Sequence, residues 1–247
     1  MKEELIRTEM LLGRAAIERL QHSHVAVFGI GGVGGYAVEA LVRSGIGRLE
    51  LVDNDKVSPT NVNRQIIALS DTLGRYKTEA AAERARAINP ECEVICRNCF
   101  FTSETAGTFD FSDYDYVIDA IDTLAGKIAI VKACREAGTP VVSCMGAGNK
   151  LDPTAFEVTD IYKTSVCPLA RAMRKLCREN GIEKLKVVYS KEIPVSAADS
   201  ERAAREEGAY KPRVPGSIAF VPSVAGLIAA GEAIKEISGV YGNGIGS

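Results

Sequence analysis

The sequence predicts an α/β fold, a doubly wound and mostly parallel sheet with a C-terminal strand and helix extension. Three observations carry that expectation. Four apolar residues, Val25 to Phe28, run straight into Gly29-Ile-Gly31-Gly32-Val-Gly34-Gly35, and a helical apolar pattern of Val33, Ala37, Ala40 and Leu41 follows at once. Strand-like and helix-like segments then alternate as far as residue 145. Two of the expected strands end on acids, Arg48-Leu-Glu-Leu-Val-Asp53 and Tyr116-Val-Ile-Asp119, the second continuing into Ala-Ile-Asp122. Continuous apolar strands imply burial on both faces, and alternation with helices implies right-handed parallel crossovers.

In chain order, residues 8 to 20 read as a helix with Leu12, Ala16 and Leu20 along one stripe. The first strand, the glycine turn and a helix to about Arg43 come next, then the second strand. Asn54 to Gln65 is a polar, irregular loop. A helix from about Arg75 to Ile88 turns Ala81, Ala85 and Ile88 inward and Glu79, Glu83 and Arg86 outward, and Asn89-Pro90 stops it. Glu93 to Cys96 and Tyr116 to Asp119 are the third and fourth strands, Ile128 to Ala137 a helix closed by Gly138, and Pro140 to Cys144 the fifth strand. Beyond Gly146-Ala-Gly148 the pattern changes: strands at Phe156 to Ile161 and Lys186 to Tyr189 flank one helix at 165–180. Residues 195–214 read as a mobile loop, Ser217 to Phe220 as a last strand, and Ser223 to Ile237 as a small-residue helix that packs on the sheet or on a second subunit. The whole is one Rossmann-like domain, with a nucleotide-binding core at 1–150 and an extension at 151–247.

Composition sets the outer bounds. The 247 residues carry 30 Lys and Arg against 32 Asp and Glu, a net charge of −2, which argues against a general nucleic-acid coat but leaves room for a local basic patch. The opening Met1-Lys-Glu-Glu-Leu-Ile-Arg7 has no apolar core of a signal peptide, and Pro222 to Ile237 is too short for a bilayer and carries Glu232 and Lys235. A cytoplasmic protein without a membrane partner is expected. The 7 cysteines, an odd number in a chain long enough for a real core, suggest free thiols. Cys96-Arg-Asn-Cys99 has metal-ligand spacing, but no second pair follows, and a strand offset of three sends the two sulfurs to opposite faces. Packing is the reading favoured over zinc.

The glycine turn is the chemical centre. Gly29, Gly31, Gly32 and Gly34 let the main chain take unusual angles and let a phosphate approach without meeting a Cβ, while the helix start offers N–H groups and the positive end of its dipole. Asp53 is placed to accept a ribose hydroxyl. That arrangement serves a dinucleotide and ATP equally. The loop that follows separates them: Asn61, Arg64 and Gln65 in N-x-x-R-Q, with Lys77 on the next helix, supply the cations that a departing pyrophosphate needs and a hydride-transfer site does not. Asp122, at the carboxyl end of the fourth strand, faces the same crevice and could hold Mg²⁺.

Taken together, G-I-G-G-V-G, the acid pair Asp53 and Asp55, N-V-N-R-Q, the Lys77 helix and D-A-I-D resemble the ubiquitin-activating-enzyme family over roughly residues 5 to 160. The resemblance implies ATP bound at Gly31, Gly34 and Asp53, Arg64 and Lys77 on its phosphates, and Asp122 on the metal. It also implies a homodimer whose extension serves substrate binding and dimerisation, with an N-terminal arginine crossing to the partner. Arg7 and Arg14 are the candidates, although the family's R-Y-x-R-Q pattern is absent.

The branches that activate small sulfur-carrier proteins have two C-x-x-C pairs in the second half, which this chain lacks. Gly146 to Thr154, Lys163-Thr164 and Pro168-Leu169 are instead similar to tRNA threonylcarbamoyladenosine dehydratases. That likeness implies adenylation of the threonyl carboxylate on a modified adenosine beside the anticodon, then attack by the ureido nitrogen of the same group. Tethering makes a protein thiol unnecessary. Cys167, next to Pro168 at a helix start, is therefore not expected to be catalytic. On independent grounds, the 165–180 helix sets Leu169, Ala172, Met173, Leu176 and Cys177 on one side and Arg171, Arg174, Lys175 and Arg178 on the other, a phosphate-backbone footprint that Lys184, Lys186 and Lys191 extend. A solvated helix face is the plain alternative. Activation of a ubiquitin-like carrier protein, a nicotinamide dehydrogenase and an inactive tRNA-binding module stay open as rival functions. A cysteine desulfurase or sulfur-acceptor system stays open as a further partner.

Overall fold

The computed structural model describes residues 3–195 and 215–240. Seven strands form one sheet: β1 (His24–Phe28), β2 (Arg48–Val52), β3 (Glu93–Arg97), β4 (Tyr116–Asp119), β5 (Val141–Cys144), β6 (Phe156–Asp160) and β7 (Lys186–Ser190). Their order is β3-β2-β1-β4-β5-β7-β6, parallel throughout except for the β6–β7 pair at one edge. The sheet is α/β and Rossmann-like, as the alternation of elements predicts. β1 pairs with β2 on one side and β4 on the other, so the chain reverses its winding between β1 and β4. In such sheets the crevice outside the carboxyl ends at that reversal is where ligands bind.

Every residue of β1 is buried, which explains its unbroken apolar run. Val25 and Val27 face one helical layer. It is made by α2 (Arg14–His22), α3 (Gly34–Arg43), α4 (Lys77–Ile88) and α7 (Pro222–Ser238). Ala26 and Phe28 face the other, which contains α5 (Leu124–Ala137) and an aromatic group of Phe101, Phe109, Phe111 and Tyr114. Phe28 meets Phe101 edge-on at 4.8 Å between ring centroids and lies parallel to Phe111 at 5.7 Å, both favourable ring geometries. α6 (Pro168–Glu179) closes a third cluster, burying Ala170, Met173 and Cys177 against Val187 and Tyr189 of β7.

Three sequence expectations need correction. The helix expected over 8–20 is two, α1 (Ile6–Leu12) and α2, because Gly13 at φ 82° breaks the helical path. α5 begins at Leu124, a turn earlier than Ile128. Ser217 to Phe220 is not a strand: Ser217 offers its carbonyl to Asn63 Nδ2, Gly216 exchanges hydrogen bonds with Asn149, and Val221 N–H closes a turn on Ile218. With the Ser217 carbonyl taken by Asn63 and Ile218 closing a turn with Val221, that stretch is held as a loop. The expected loop at 195–214 lies, apart from Val195, outside the described residues.

α7 packs on the sheet and along α3. A Cβ on Gly226 would stand 2.1 Å from the Val33 carbonyl oxygen, so only glycine permits the two helices to come this close. No described helix is long and apolar enough to cross a membrane. All seven cysteines are free thiols.

Candidate active site

The glycine turn leaves β1 at Gly29, whose φ of 88° and whose crowding by Ala120, 2.8 Å from a Cβ placed there, both demand glycine. Ala120 N–H donates to the Phe28 carbonyl at 2.8 Å, joining the ends of β1 and β4. Gly34 begins α3 against the Gly29 carbonyl, 1.7 Å from a built Cβ. Gly31, by contrast, has open space where a side chain would project, bounded by Gln65 Nε2 at 3.8 Å. The turn thus presents bare main chain to the crevice at the positive end of α3.

Asp53 ties this turn to the end of β2. Its Oδ2 accepts from Ile30 N–H at 2.7 Å and its Oδ1 from Asp55 N–H at 2.8 Å. Burial raises its pKa above the usual 3.8, a rise opposed by the Lys77 charge and the two backbone donors. Each carboxylate oxygen has a second lone pair, so a ribose hydroxyl remains acceptable. Asp53 therefore shapes the turn, a role the sequence alone did not reveal.

Arg64 crosses the turn: its Cγ lies 3.5 Å from where a Gly32 Cβ would be, and its guanidinium donates to the Thr60 carbonyl and to Asn63 Oδ1. Asn61 is buried and caps its own short helical turn, accepting from Ser58 N–H. Gln65 is buried too, and its Oε1 has no hydrogen-bond partner. Such an orphan acceptor beside bare glycine main chain fits a ligand that brings its own donors. Lys77 Nζ reaches Asp55 Oδ2 at 2.7 Å, and Lys77 is almost wholly buried while Asp55 is exposed. Asp122 is exposed in the turn after β4, one residue beyond Ile121, whose nitrogen comes within 2.9 Å of a Gly29 Cβ. The structure brings the glycines, Asp53, Arg64, Gln65 and the turn carrying Asp122 to one crevice, and pairs Lys77 with Asp55.

Among the described residues, no group of three or more His, Cys, Asp or Glu side chains could hold a metal ion. A lone carboxylate is still sufficient for magnesium, which keeps several waters and takes its other ligands from phosphates. Cys96 and Cys99 are half-buried, and burial raises both thiol pKa values, in keeping with packing.

The basic helix begins next to the same edge of the sheet. A Cβ on Gly146, just past β5, would be 3.7 Å from Leu169 Cβ and 3.8 Å from Cys167 Sγ. Arg171, Lys175 and Arg178 are exposed. Arg174 is half-buried and donates to the Thr164 carbonyl and hydroxyl, so it braces the loop ahead of α6. Lys175 pairs with Glu179 at 3.7 Å and Arg178 lies over the Tyr162 ring at 5.5 Å. Lys186 and Lys191 are engaged by Glu232 and Glu236 and by Glu157, respectively. Cys167 is buried at the N-cap of α6. Arg14 pairs with Glu18 within its own helix, and Arg7 is exposed on α1.

Residues 5–245 match the sequence pattern of the ThiF family. The chain belongs to the ThiF family. Within it, the chain is 44% identical to the tRNA threonylcarbamoyladenosine dehydratase of Bacillus subtilis (strain 168), over 96% of this chain and 95% of that protein. It is 39% identical to the enzyme of the same name from Escherichia coli (strain K12), over 93% of this chain and 91% of that one. The solved structure of the E. coli tRNA N6-threonylcarbamoyladenosine dehydratase in complex with ATP superimposes with a TM-score of 0.86 at 36% identity, covering 98% of this chain and 96% of the other. This ThiF-family chain thus shares its fold with an ATP-bound relative over nearly its whole length. The sequence reading missed one buried group at the site, Asp119 with Lys127 and Ser143, since nothing in their spacing marks them as partners.

Proposed function

We propose that this protein is an ATP-dependent tRNA threonylcarbamoyladenosine dehydratase acting in the cytoplasm. The observation that carries the reading is the extent of the likeness. It runs through both the nucleotide-binding core and the extension, over 96% of this chain and 95% of the B. subtilis dehydratase. A shared nucleotide-binding half alone would fit any adenylating relative.

ATP supplies the AMP that makes a carboxylate reactive. The threonyl carboxylate attacks the α-phosphorus, an acyl–phosphate bond forms as the bond to pyrophosphate breaks, and the ureido nitrogen then attacks the acyl carbon. AMP leaves, one proton is lost and the ring is closed, so the nucleoside has lost one water. The main chain at Gly31, Gly32 and Gly34 receives phosphate, and Asp53 the ribose. Gly29, whose N–H donates to the Val52 carbonyl at 2.8 Å, shapes the turn rather than binding the ligand as the sequence suggests. Arg64 and Lys77 stabilise charge on the departing pyrophosphate, the largest contribution a protein makes to such a step. Lys77 does so on release from Asp55. Asn61 braces the loop behind Arg64, and Gln65 lines the crevice beside Gly31 with its Oε1 open to a ligand N–H or O–H. Asp122 would hold Mg²⁺, which would neutralise charge on the phosphates. Arg171, Lys175 and Arg178 lie along the RNA backbone, with Arg174 holding their helix in place. A homodimer completes the assembly.

Incubation with ATP and tRNA carrying threonylcarbamoyladenosine should release pyrophosphate and lower the nucleoside mass by one water, read by mass spectrometry. No mass change overturns the reading. Pyrophosphate exchange that depends on a carrier protein ending in Gly-Gly would replace it with carrier activation.

A further inference from the structure

A buried ion pair lies at the root of the turn that carries Asp122. Asp119 ends β4 and Lys127 sits in the first turn of α5, and both side chains are 0% exposed. Lys127 Nζ donates to Asp119 Oδ1 at 3.0 Å, to the Cys144 carbonyl at 2.8 Å and to Ser143 Oγ at 3.4 Å. Ser143 Oγ donates in turn to Asp119 Oδ2, and Ile121 N–H to Asp119 Oδ1 at 3.3 Å. An ammonium group has three donors, and here all three go to protein oxygens at the carboxyl ends of β4 and β5. Lys127 has none left for a ligand.

Stability alone is a poor account of this group, because apolar side chains of like volume usually serve a core at least as well as a buried ion pair. Its placement gives a better one. On one flank, the 120–121 backbone leans on Gly29 and Phe28 of the glycine turn. On the other, Asp119 holds Ile121 N–H, and Lys127 holds Asp119. The turn is pinned at both sides, and Asp122 is the next residue.

We propose that Lys127, acting through Asp119 and Ser143, is a positioning residue for adenylation: it fixes the 120–123 turn so that the Asp122 carboxylate and the divalent cation on the nucleotide stay aligned. The proposal rests on the adenylation reading above. Lys127 itself touches neither substrate nor cation.

The test is the double variant Asp119→Asn/Lys127→Met, which removes both charges at nearly constant volume and leaves no unpaired buried charge. In the folded variant, ATP affinity by calorimetry should stay near wild type, since the glycine turn is intact. The kcat for pyrophosphate release should fall on the order of 10²-fold, as expected of a small misplacement. Amide hydrogen exchange at Ile121 and Asp122 should rise by at least about tenfold. Manganese should bind the ATP-loaded protein more weakly, read by electron paramagnetic resonance. If the double variant does not fold, Ser143→Ala must shift exchange and kcat in the same direction by less. Wild-type exchange at Ile121 and Asp122 in a folded variant overturns the proposal, as does faster exchange with unchanged kcat and manganese affinity. If the wild-type protein releases no pyrophosphate, the adenylation reading fails instead, and exchange alone still decides whether Lys127 holds the turn.

Discussion

On the proposed function, Lys77 is the residue on which nucleotide chemistry and the resting structure most directly compete. Its side chain is 8% exposed and its partner Asp55 59% exposed, so breaking the pair strands a solvated carboxylate there, while the buried Asp53 loses the Lys77 charge that opposes the rise in its pKa. The cost to the fold is that of one charge-assisted hydrogen bond, on the order of 1–2 kcal/mol. The cost to the reaction is larger, because a cation aimed at developing charge is worth on the order of 10²–10³-fold in rate. Lys77→Met should therefore lose pyrophosphate release by roughly that factor while its urea midpoint falls modestly. A rate within about threefold of wild type, well inside that range, would remove Lys77 from the phosphates. The sequence singles out residues of this kind because phosphate chemistry needs Arg and Lys beside a glycine turn; the structure sets Arg64 against that turn and pairs Lys77 with Asp55. Lys127 is not legible in the sequence. A lysine among Ala, Gly and Ile in a helix looks like a solvated position, and its partners come from β4 and β5, which only the folded sheet brings beside it.

Among the elements, α3 links the glycine turn to the rest of the helical layer, and Glu39 is its anchor. Arg84 of α4 donates to both Glu39 oxygens, at 2.7 and 3.1 Å, and Arg43 adds a third bond at 2.7 Å. Burial pushes the Glu39 carboxyl up, but the bonds and charges of Arg84 and Arg43 outweigh it and hold the pKa below 4.5. With the folded value the lower one, the stabilisation is present above the unfolded value and is lost as pH falls through the folded one. Glu39→Gln should therefore cost about 1 kcal/mol near neutral pH, discounted for exposed arginines. The gap from wild type should narrow below pH 4.5 and close at lower pH, read from urea unfolding across a pH series. A gap constant with pH would mean that packing, not charge, is what the substitution removes. The central strands β1 and β4 were readable to within a residue because burial on both faces leaves a nearly unbroken apolar signature, which the half-exposed edge strands β3 and β6 lack. Ser217 to Phe220 shows the limit of that signal. Its composition suits a strand, yet pairing needs free backbone groups, and here Asn63 takes the Ser217 carbonyl while Ile218 closes a turn with Val221. The break at Gly13 was visible as a glycine, but its φ of 82° was not.

At the scale of the whole molecule, a net charge of −2 hides a local asymmetry. Arg171, Lys175 and Arg178 project from a helix that starts beside the end of β5, at the same carboxyl end of the sheet as the glycine turn. Placing an RNA backbone there would bring a nucleoside near the ATP without asking the acidic remainder of the surface to bind it. Folding has sorted the basic residues that the sequence offered together: Arg174, Lys186 and Lys191 are committed to Thr164, Glu232 with Glu236, and Glu157. Phosphate contacts release counterions, so each one steepens the fall of log K with log salt by about 1. The variant Arg171→Ala/Arg178→Ala should thus weaken tRNA binding and reduce that slope by roughly 2, with only a small fall in melting temperature from the lost Arg178 contact with the Tyr162 ring. Arg174→Ala should instead lower the melting temperature, having lost the brace on Thr164. A double variant with an unchanged slope would show that RNA lies elsewhere, and the basic face of α6 would then be no more than a solvated one.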